Sequence, residues 1–292
     1  MREPMLATRR LSDALGIEVS GVDLSQPMSA AAFGAIESAF HAGQILVFRG
    51  QQLSPAQFAA FAGHFGEPEP HVVDQFHHPD DANILILSNV KKDGKPTGLA
   101  DAGSYFHSDY SYLEVPARCT LLYSIIVPKT GGDTLFANQQ AAYDDLSEAV
   151  RRRIEGLIAI HHYGNRDDLE ERSRTAASPL TPEQKARMPI VQHRLARKHP
   201  RTGRKALYAV SGSSFGIVGM PQDEAIALLD ELKAHATQAK YVYALKYGVG
   251  DVVIWDNANL LHSATLIDPE DARTLWRISV KERAEQMGKR VA

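Results

Sequence analysis

His107 and Asp109 stand two apart in the stretch Gly103-Ser-Tyr-Phe-His-Ser-Asp-Tyr-Ser-Tyr112. In an extended segment side chains alternate faces, so residues two apart point the same way. An imidazole nitrogen and a carboxylate oxygen can then meet one ion. Two protein ligands are too few for a firm metal site. The third candidate is His262, in Asp256-Asn-Ala-Asn-Leu-Leu-His262, just after the apolar run Asp251-Val-Val-Ile-Trp255. Two imidazoles and one carboxylate on one face of a metal form the ligand set of non-haem Fe(II) oxygenases, which leaves positions open for a co-substrate and O2. By itself, a His-x-Asp tripeptide is more often an ordinary surface loop. Further along, Arg273 and Arg277 follow His262 by 11 and 15 residues. Residues 275–280 read as a strand, and an even separation lets both arginines face one side. Guanidiniums turned into an apolar interior need anionic partners, and their planar fork suits a carboxylate. The plainer alternative is two surface arginines paired with Glu270, Asp271 or Glu282.

Composition bounds what must position these residues. The chain has 292 residues, 44% hydrophobic and 23% charged, ordinary values for a globular protein with a sizeable core. A formal net charge of −3 gives no electrostatic reason to expect nucleic acid or a membrane surface. The single cysteine, Cys119, excludes an intrachain disulfide and fits a reducing compartment. It lies in an apolar run, so a buried, inert thiol is expected. No N-terminal run resembles a signal peptide or membrane span, so a cytoplasmic protein is expected. Strands are predicted over residues 17–24, 44–48, 83–90, 119–127, 157–163, 190–195, 205–210, 241–246, 252–255 and 275–280. Helices are predicted over 29–41 with Ser29 as N-cap, 54–65 with Pro55 at the first helical position, 141–156 and 221–237. The proline- and histidine-rich segment 67–78 reads as a loop. Residues 165–188 are strongly charged and irregular, as a functional lid would be. Many strands without regular strand–helix alternation argue for an antiparallel sandwich decorated by helices. We expect one domain over 1–292.

The set His107-x-Asp109, Gly131-Gly-Asp-Thr134, Trp255-Asp-Asn257, His262, Arg273 and Arg277 resembles the taurine/2,4-D dioxygenase (TauD/TfdA) family of Fe(II)- and 2-oxoglutarate-dependent enzymes. The resemblance extends from Gly21-Val-Asp-Leu24 through Val47-Phe-Arg-Gly50 and Phe65-Gly66 to the last strand, and Thr134 falls 27 residues after His107 as in the family pattern. It implies a mainly β fold with flanking helices, a double-stranded β-helix or jelly roll. It implies an oxidoreductase whose iron is bound by His107, Asp109 and His262. Thr134 and Arg273 would hold the distal carboxylate of 2-oxoglutarate, with Trp255 walling the pocket, although a strand Trp is more often plain core. Arg277 would face the anionic group of the prime substrate. O2 is the third co-substrate, and succinate and CO2 leave. A homo-oligomer, dimer or tetramer, is expected from the resemblance alone. Segments 72–103 and 165–188 suit lids that exclude water.

The substrate class follows from finer matches. His71 falls where the taurine branch uses a histidine on the sulfonate, but Asp74 and Gly103 replace a tyrosine and an asparagine of that branch. Leu87-Ser-Asn-Val90, Ala141-Ala-Tyr-Asp144 and Thr202-Gly-Arg-Lys205 are similar to the aryloxyalkanoate-degrading branch. Tyr105, Tyr110 and Tyr163 either line an aromatic pocket or belong to the core. The expectation is a small organic carboxylate, aromatic or not, with taurine or another alkylsulfonate as the alternative. A zinc hydrolase or a silent metal-binding jelly roll is the competing class; neither needs a carboxylate clamp at Thr134 and Arg273.

Overall fold

The computed structural model describes residues 6–100, 103–163 and 181–281. Its centre is the strand Val252–Asp256, in which every residue is buried. It pairs antiparallel with Ile45–Phe48 on one side and Ala117–Ile126 on the other. Beyond Ala117–Ile126 come Thr274–Lys281 and then Asp81–Ser88, extending the sheet. A second sheet of three strands runs Val242–Leu245, Thr134–Asn138, Leu260–Ala264. The alternation of side chains sorts the core into layers. Ile45, Val47, Val253 and Trp255 face the small sheet and pack with Phe136, Leu245 and Leu260. Leu46, Phe48, Val252 and Ile254 face the other way, onto Ile36, Phe40, Phe58 and Phe61 of two covering helices. The result is the expected jelly roll: mainly β, with helices flanking it.

Those helices are Ala30–Gly43 and Pro55–Gly63. Ser29 caps the first, accepting from the Ala32 N–H at 3.1 Å. Ser54 and Gln57 form a reciprocal capping box on the second, with Pro55 in its first turn. A third sheet, Val191–Arg194, Ile158–His161 and Ser214–Ile217, packs with the helix Gln222–Ala236 around Leu228, Leu229 and Leu232.

Three expectations change. Segment 67–78 is not all loop: Glu67–Glu69 pairs with Ser279–Lys281, and His77–His78 pairs with the strand Asp81–Ser88. Its prolines hide this, because proline is tolerated where a strand lies at an edge. The segment 72–103 also contains a core strand, since Asp81–Ser88 hydrogen-bonds along Thr274–Arg277. Lastly, Leu260–Ala264, which carries His262, is a strand that the sequence reading left unassigned. Of the segment 165–188, residues 165–180 lie outside the described residues. The rest includes the short helix Pro182–Ala186, and the Gln184 amide donates to the Val72 carbonyl at 3.0 Å. Cys119 is fully buried, as expected. Among the described residues no helix is long and apolar enough to cross a membrane.

Candidate active site

His107 and His262 lie directly opposite each other in an isolated antiparallel bridge. Their main chains exchange both hydrogen bonds, at 2.9 and 2.8 Å. Opposed residues of such a pair put their side chains on one face, and the ring centroids are 4.2 Å apart. Asp109 completes the group: donor atoms of the three side chains all lie within 4.8 Å of one another. The Asp109 oxygens are 3.7 Å from His107 Nε2 and 3.5 Å from His262 Nε2. Extended backbone, however, stops at His107. Asp109 opens a run of turns that reaches Leu113, whose N–H donates to the Tyr110 carbonyl, with Tyr110 at φ 55°. A buried tyrosine in the left-handed region costs roughly 1 kcal/mol or more, so surrounding contacts must hold it there.

Neighbouring side chains supply those contacts. Thr120 donates to Asp109 Oδ2 at 2.7 Å, and Asn257 Nδ2 donates to the same threonine oxygen at 3.0 Å. Asn257 Oδ1 in turn accepts from Trp255 Nε1. Two glycines pin His107 itself. A Cβ on Gly103 would stand 2.6 Å from His107 Cε1, and one on Gly212 would stand 2.6 Å from His107 Cβ. Both have positive φ, so only glycine fits both the space and the backbone. The Gly103 that departs from the taurine branch is therefore a packing requirement of this chain's own histidine. Neither Thr120 nor Gly212 carried a signal in the sequence, since nothing local marks a residue whose contacts are distant.

The donor set suits a divalent transition metal. His107 Nδ1 faces the Tyr105 carbonyl at 2.8 Å, and a carbonyl can only accept, so Nδ1 carries the proton and Nε2 presents a bare lone pair. Burial would raise the Asp109 carboxyl, but positive neighbours, His262 and then Arg277, outweigh it and hold the group well below the usual carboxylate range. Of these two, only Arg277 keeps its charge at neutral pH, because burial and then His107 push His262 down to about 3. The triad thus presents a neutral His262, the Nε2 of His107 and one carboxylate, a donor set a metal can take.

Arg273 and Arg277 are not surface residues. Arg273 is buried, and its main chain is fixed by Asn89, whose Oδ1 accepts from the Arg273 N–H at 2.9 Å. Arg277 Nη1 lies 3.5 Å from Asp109 Oδ1, while Nη2 is buried with no hydrogen-bond partner among the described residues. A narrow cavity of about 50 Å³ is lined by His107 and His262 at the triad and by Thr134, Trp255, Arg273 and Arg277. Apolar Leu87, Leu122 and Leu275 complete its walls. Thr134 Oγ1 is 2.9 Å from the Tyr247 hydroxyl, a polar partner the sequence reading missed. Trp255 is both core and wall: it is 1% exposed, with its ring 4.7 Å from that of His262.

His71 and Tyr110 lie beside this cavity and not in its lining. Their rings stack at 5.9 Å, and the Arg277 guanidinium carbon is 5.9 Å from the Tyr110 ring centroid. Burial, then the charge of Arg277, hold His71 well below its ordinary pKa. Its Nδ1 accepts from the Val73 N–H at 3.1 Å, which leaves Nε2 as a neutral donor. Tyr110, Tyr112 and Tyr163 form one aromatic cluster with Met188. Tyr105 tilts against the His107 ring at 5.2 Å.

Residues 7–279 match the model of the family described as "Taurine catabolism dioxygenase TauD, TfdA family". A 2,4-dichlorophenoxyacetate dioxygenase dependent on alpha-ketoglutarate, from Burkholderia sp. strain RASC, is 36% identical over 89% of this chain and 89% of its own. Pentalenolactone F synthase of Streptomyces arenae is 31% identical over 90% and 91%. The solved structure of AAD-2 with Mn(II) and N-oxalylglycine superposes with a TM-score of 0.80 at 31% identity, covering 95% of this chain and 98% of that one.

Proposed function

The chain belongs to the TauD/TfdA family and is an Fe(II)- and 2-oxoglutarate-dependent dioxygenase, and from that premise we propose that it hydroxylates a small organic carboxylate, aromatic or otherwise. The observation that carries the substrate class is Arg277: a buried guanidinium with one nitrogen near Asp109 and the other without a partner. A buried cation in that state favours an incoming anion. The similar Burkholderia enzyme, which acts on an aryloxyacetate, supports a carboxylate over a sulfonate.

In this reading His107, Asp109 and His262 hold the iron, and Thr134, Arg273 and Tyr247 take the far carboxylate of 2-oxoglutarate. Iron and 2-oxoglutarate together supply the oxidising chemistry: O2 gives one atom to the substrate C–H and one to succinate, with release of CO2. The protein's own residues do the rest. Trp255 and the three leucines exclude water from the cavity between the two ends. Arg277 fixes the substrate's anionic group, and His71 offers it a neutral N–H. The Tyr110–Tyr112–Tyr163 cluster provides an apolar wall for the substrate's body. Orientation of one C–H toward the triad is the main contribution.

The experiment is a panel of aryloxyacetates, other carboxylates and alkylsulfonates, scored by substrate-stimulated succinate release with Fe(II) and 2-oxoglutarate under air. For the best carboxylate, Arg277→Ala should raise KM about 100-fold, equivalent to roughly 3 kcal/mol, while 2-oxoglutarate binding changes much less. Stimulation by sulfonates alone would replace the carboxylate reading. An unchanged KM would remove Arg277 from substrate recognition.

A further inference from the structure

We propose that His161, acting through Ser213 and Ser111, is a positioning residue that fixes the turn carrying Asp109. The inference rests on the reading of His107, Asp109 and His262 as the iron ligands. His161 ends the strand Ile158–His161, where the pairing with Ser214–Ile217 shifts register between Ile160 and His161. Such irregularities re-aim a side chain, and here the imidazole is fully buried. Its Nδ1 is 3.0 Å from Ser213 Oγ, which is 2.7 Å from Ser111 Oγ, and Ser111 donates to the Ser108 carbonyl at 2.9 Å.

The last acceptor settles the direction of every proton in this chain. A carbonyl cannot donate, so the Ser111 proton points to Ser108. The Ser213 proton must then point to Ser111, and Ser213 can only accept from His161. His161 is therefore the Nδ1–H tautomer. Burial pushes its pKa down to about 3, so the ring is neutral and carries one proton to give. Its Nε2 is buried with no hydrogen-bond partner among the described residues. An apolar residue would avoid that cost, so packing alone does not account for a histidine here.

The chain ends on the iron-binding turn at both sides of Asp109. Ser108 precedes Asp109 and donates its own hydroxyl to the Asn257 carbonyl at 2.8 Å, while Ser111 follows it within the turn. Gly212, next to Ser213, packs its backbone onto His107. The segment Ser211-Gly-Ser213 thus braces one ligand by contact and the neighbour of the other by hydrogen bond. Tyr110, held at positive φ between them, is the strained residue such a brace would support.

The test is titration of the metal-free protein with Co(II) alone, read by its visible absorption, alongside thermal unfolding of each metal-free variant. Ser213→Ala and His161→Gln should weaken Co(II) binding at least about tenfold, the usual effect of removing an outer partner of a metal ligand. His161→Asn, whose amide N–H can stand in for Nδ1–H, should stay within about threefold of wild type by the same standard. Affinities within about threefold in Ser213→Ala and His161→Gln overturn the proposal. So does an equal loss in His161→Asn, or a loss that simply follows the melting temperature, since those mark a packing role. His107→Ala is the control for the underlying reading. If it too binds Co(II) normally, the metal assignment itself fails; if it alone loses binding, only the His161 proposal does.

Discussion

A histidine buried without a counter-charge makes stability depend on pH, because the unfolded chain takes up a proton that the folded chain refuses. His161 is such a residue, with a folded pKa near 3 set first by burial and then by the charges of His193 and Arg197 nearby. Its ordinary pKa is about 6.5, so between those values the unfolded state binds more protons and stability rises with pH. The contribution is fully present above about pH 7 and is lost as pH falls below about 6.5, by roughly 2 kcal/mol between pH 7 and pH 5. We therefore expect urea unfolding of the wild type to weaken faster over that interval than unfolding of His161→Gln. Parallel pH profiles for the two proteins would mean that His161 titrates in the fold as it does in water. Asp109 works in the same sense, since its folded pKa is also depressed and its contribution is lost as pH falls, but the cause is a charge: Arg277 beside it keeps the carboxylate ionised where a neutral His262 cannot.

At the scale of elements, the site depends on strands from different sheets meeting at one end. Thr134 opens the strand Thr134–Asn138, which pairs with Leu260–Ala264 on one side and Val242–Leu245 on the other. That pairing brings Tyr247 onto Thr134, while Arg273 comes from the start of Thr274–Lys281 in the larger sheet. In the proposed reading, two hydroxyls and a guanidinium would share the far carboxylate of 2-oxoglutarate. Tyr247→Phe leaves Thr134 its proton and should weaken 2-oxoglutarate binding modestly, by about 0.5–1.5 kcal/mol. Thr134→Val removes the direct donor and strands a buried acceptor, costing about 1–3 kcal/mol. Titration of the visible chelate band of the Fe(II) complex would show the order, and a larger loss in Tyr247→Phe would reverse the two roles. This geometry also marks what the sequence could disclose. The apolar runs at 44–48 and 252–255 announce buried strands because each run is local to a few residues. His107, His262 and both arginines were legible because residue type and spacing carry their chemistry. Leu260–Ala264 was hidden because it directly follows the turn Asn257-Ala-Asn259 and its Leu-Leu-His-Ser-Ala shows no strand period. Thr120, Tyr247 and Gly212 act only through partners far along the chain, and no window of sequence contains both ends.

At the scale of the whole molecule, the fold need not depend on the ion that the triad is proposed to hold. The layers on either face of the Val252–Asp256 strand are closed by aliphatic and aromatic side chains, and none of the three ligands belongs to them. The ligands are also compensated without a metal. His262 is held neutral by burial, and the carboxylate has Arg277 at 3.5 Å and the Thr120 hydroxyl at 2.7 Å. Stripping the metal should therefore leave a cooperatively folded protein. What is lost is the linkage term, about 2.7 kcal/mol at a free metal concentration one hundred times Kd. With a core of this size, that corresponds to a fall in Tm of several degrees, roughly 2–4 °C per kcal/mol. The sharper expectation concerns Arg277→Ala. In the metal-free protein its loss leaves a buried carboxylate without its permanent counter-charge, a change of roughly 3–5 kcal/mol unless Asp109 takes up a proton. Bound metal restores that charge, so the stability gained on adding Fe(II) anaerobically should be larger in Arg277→Ala than in the wild type. Paired melting curves, with and without metal, measure both effects. Loss of cooperative unfolding in the stripped wild type would show that the ion holds the sheets together. An equal metal increment in the two proteins would show that Arg277 is not what compensates Asp109.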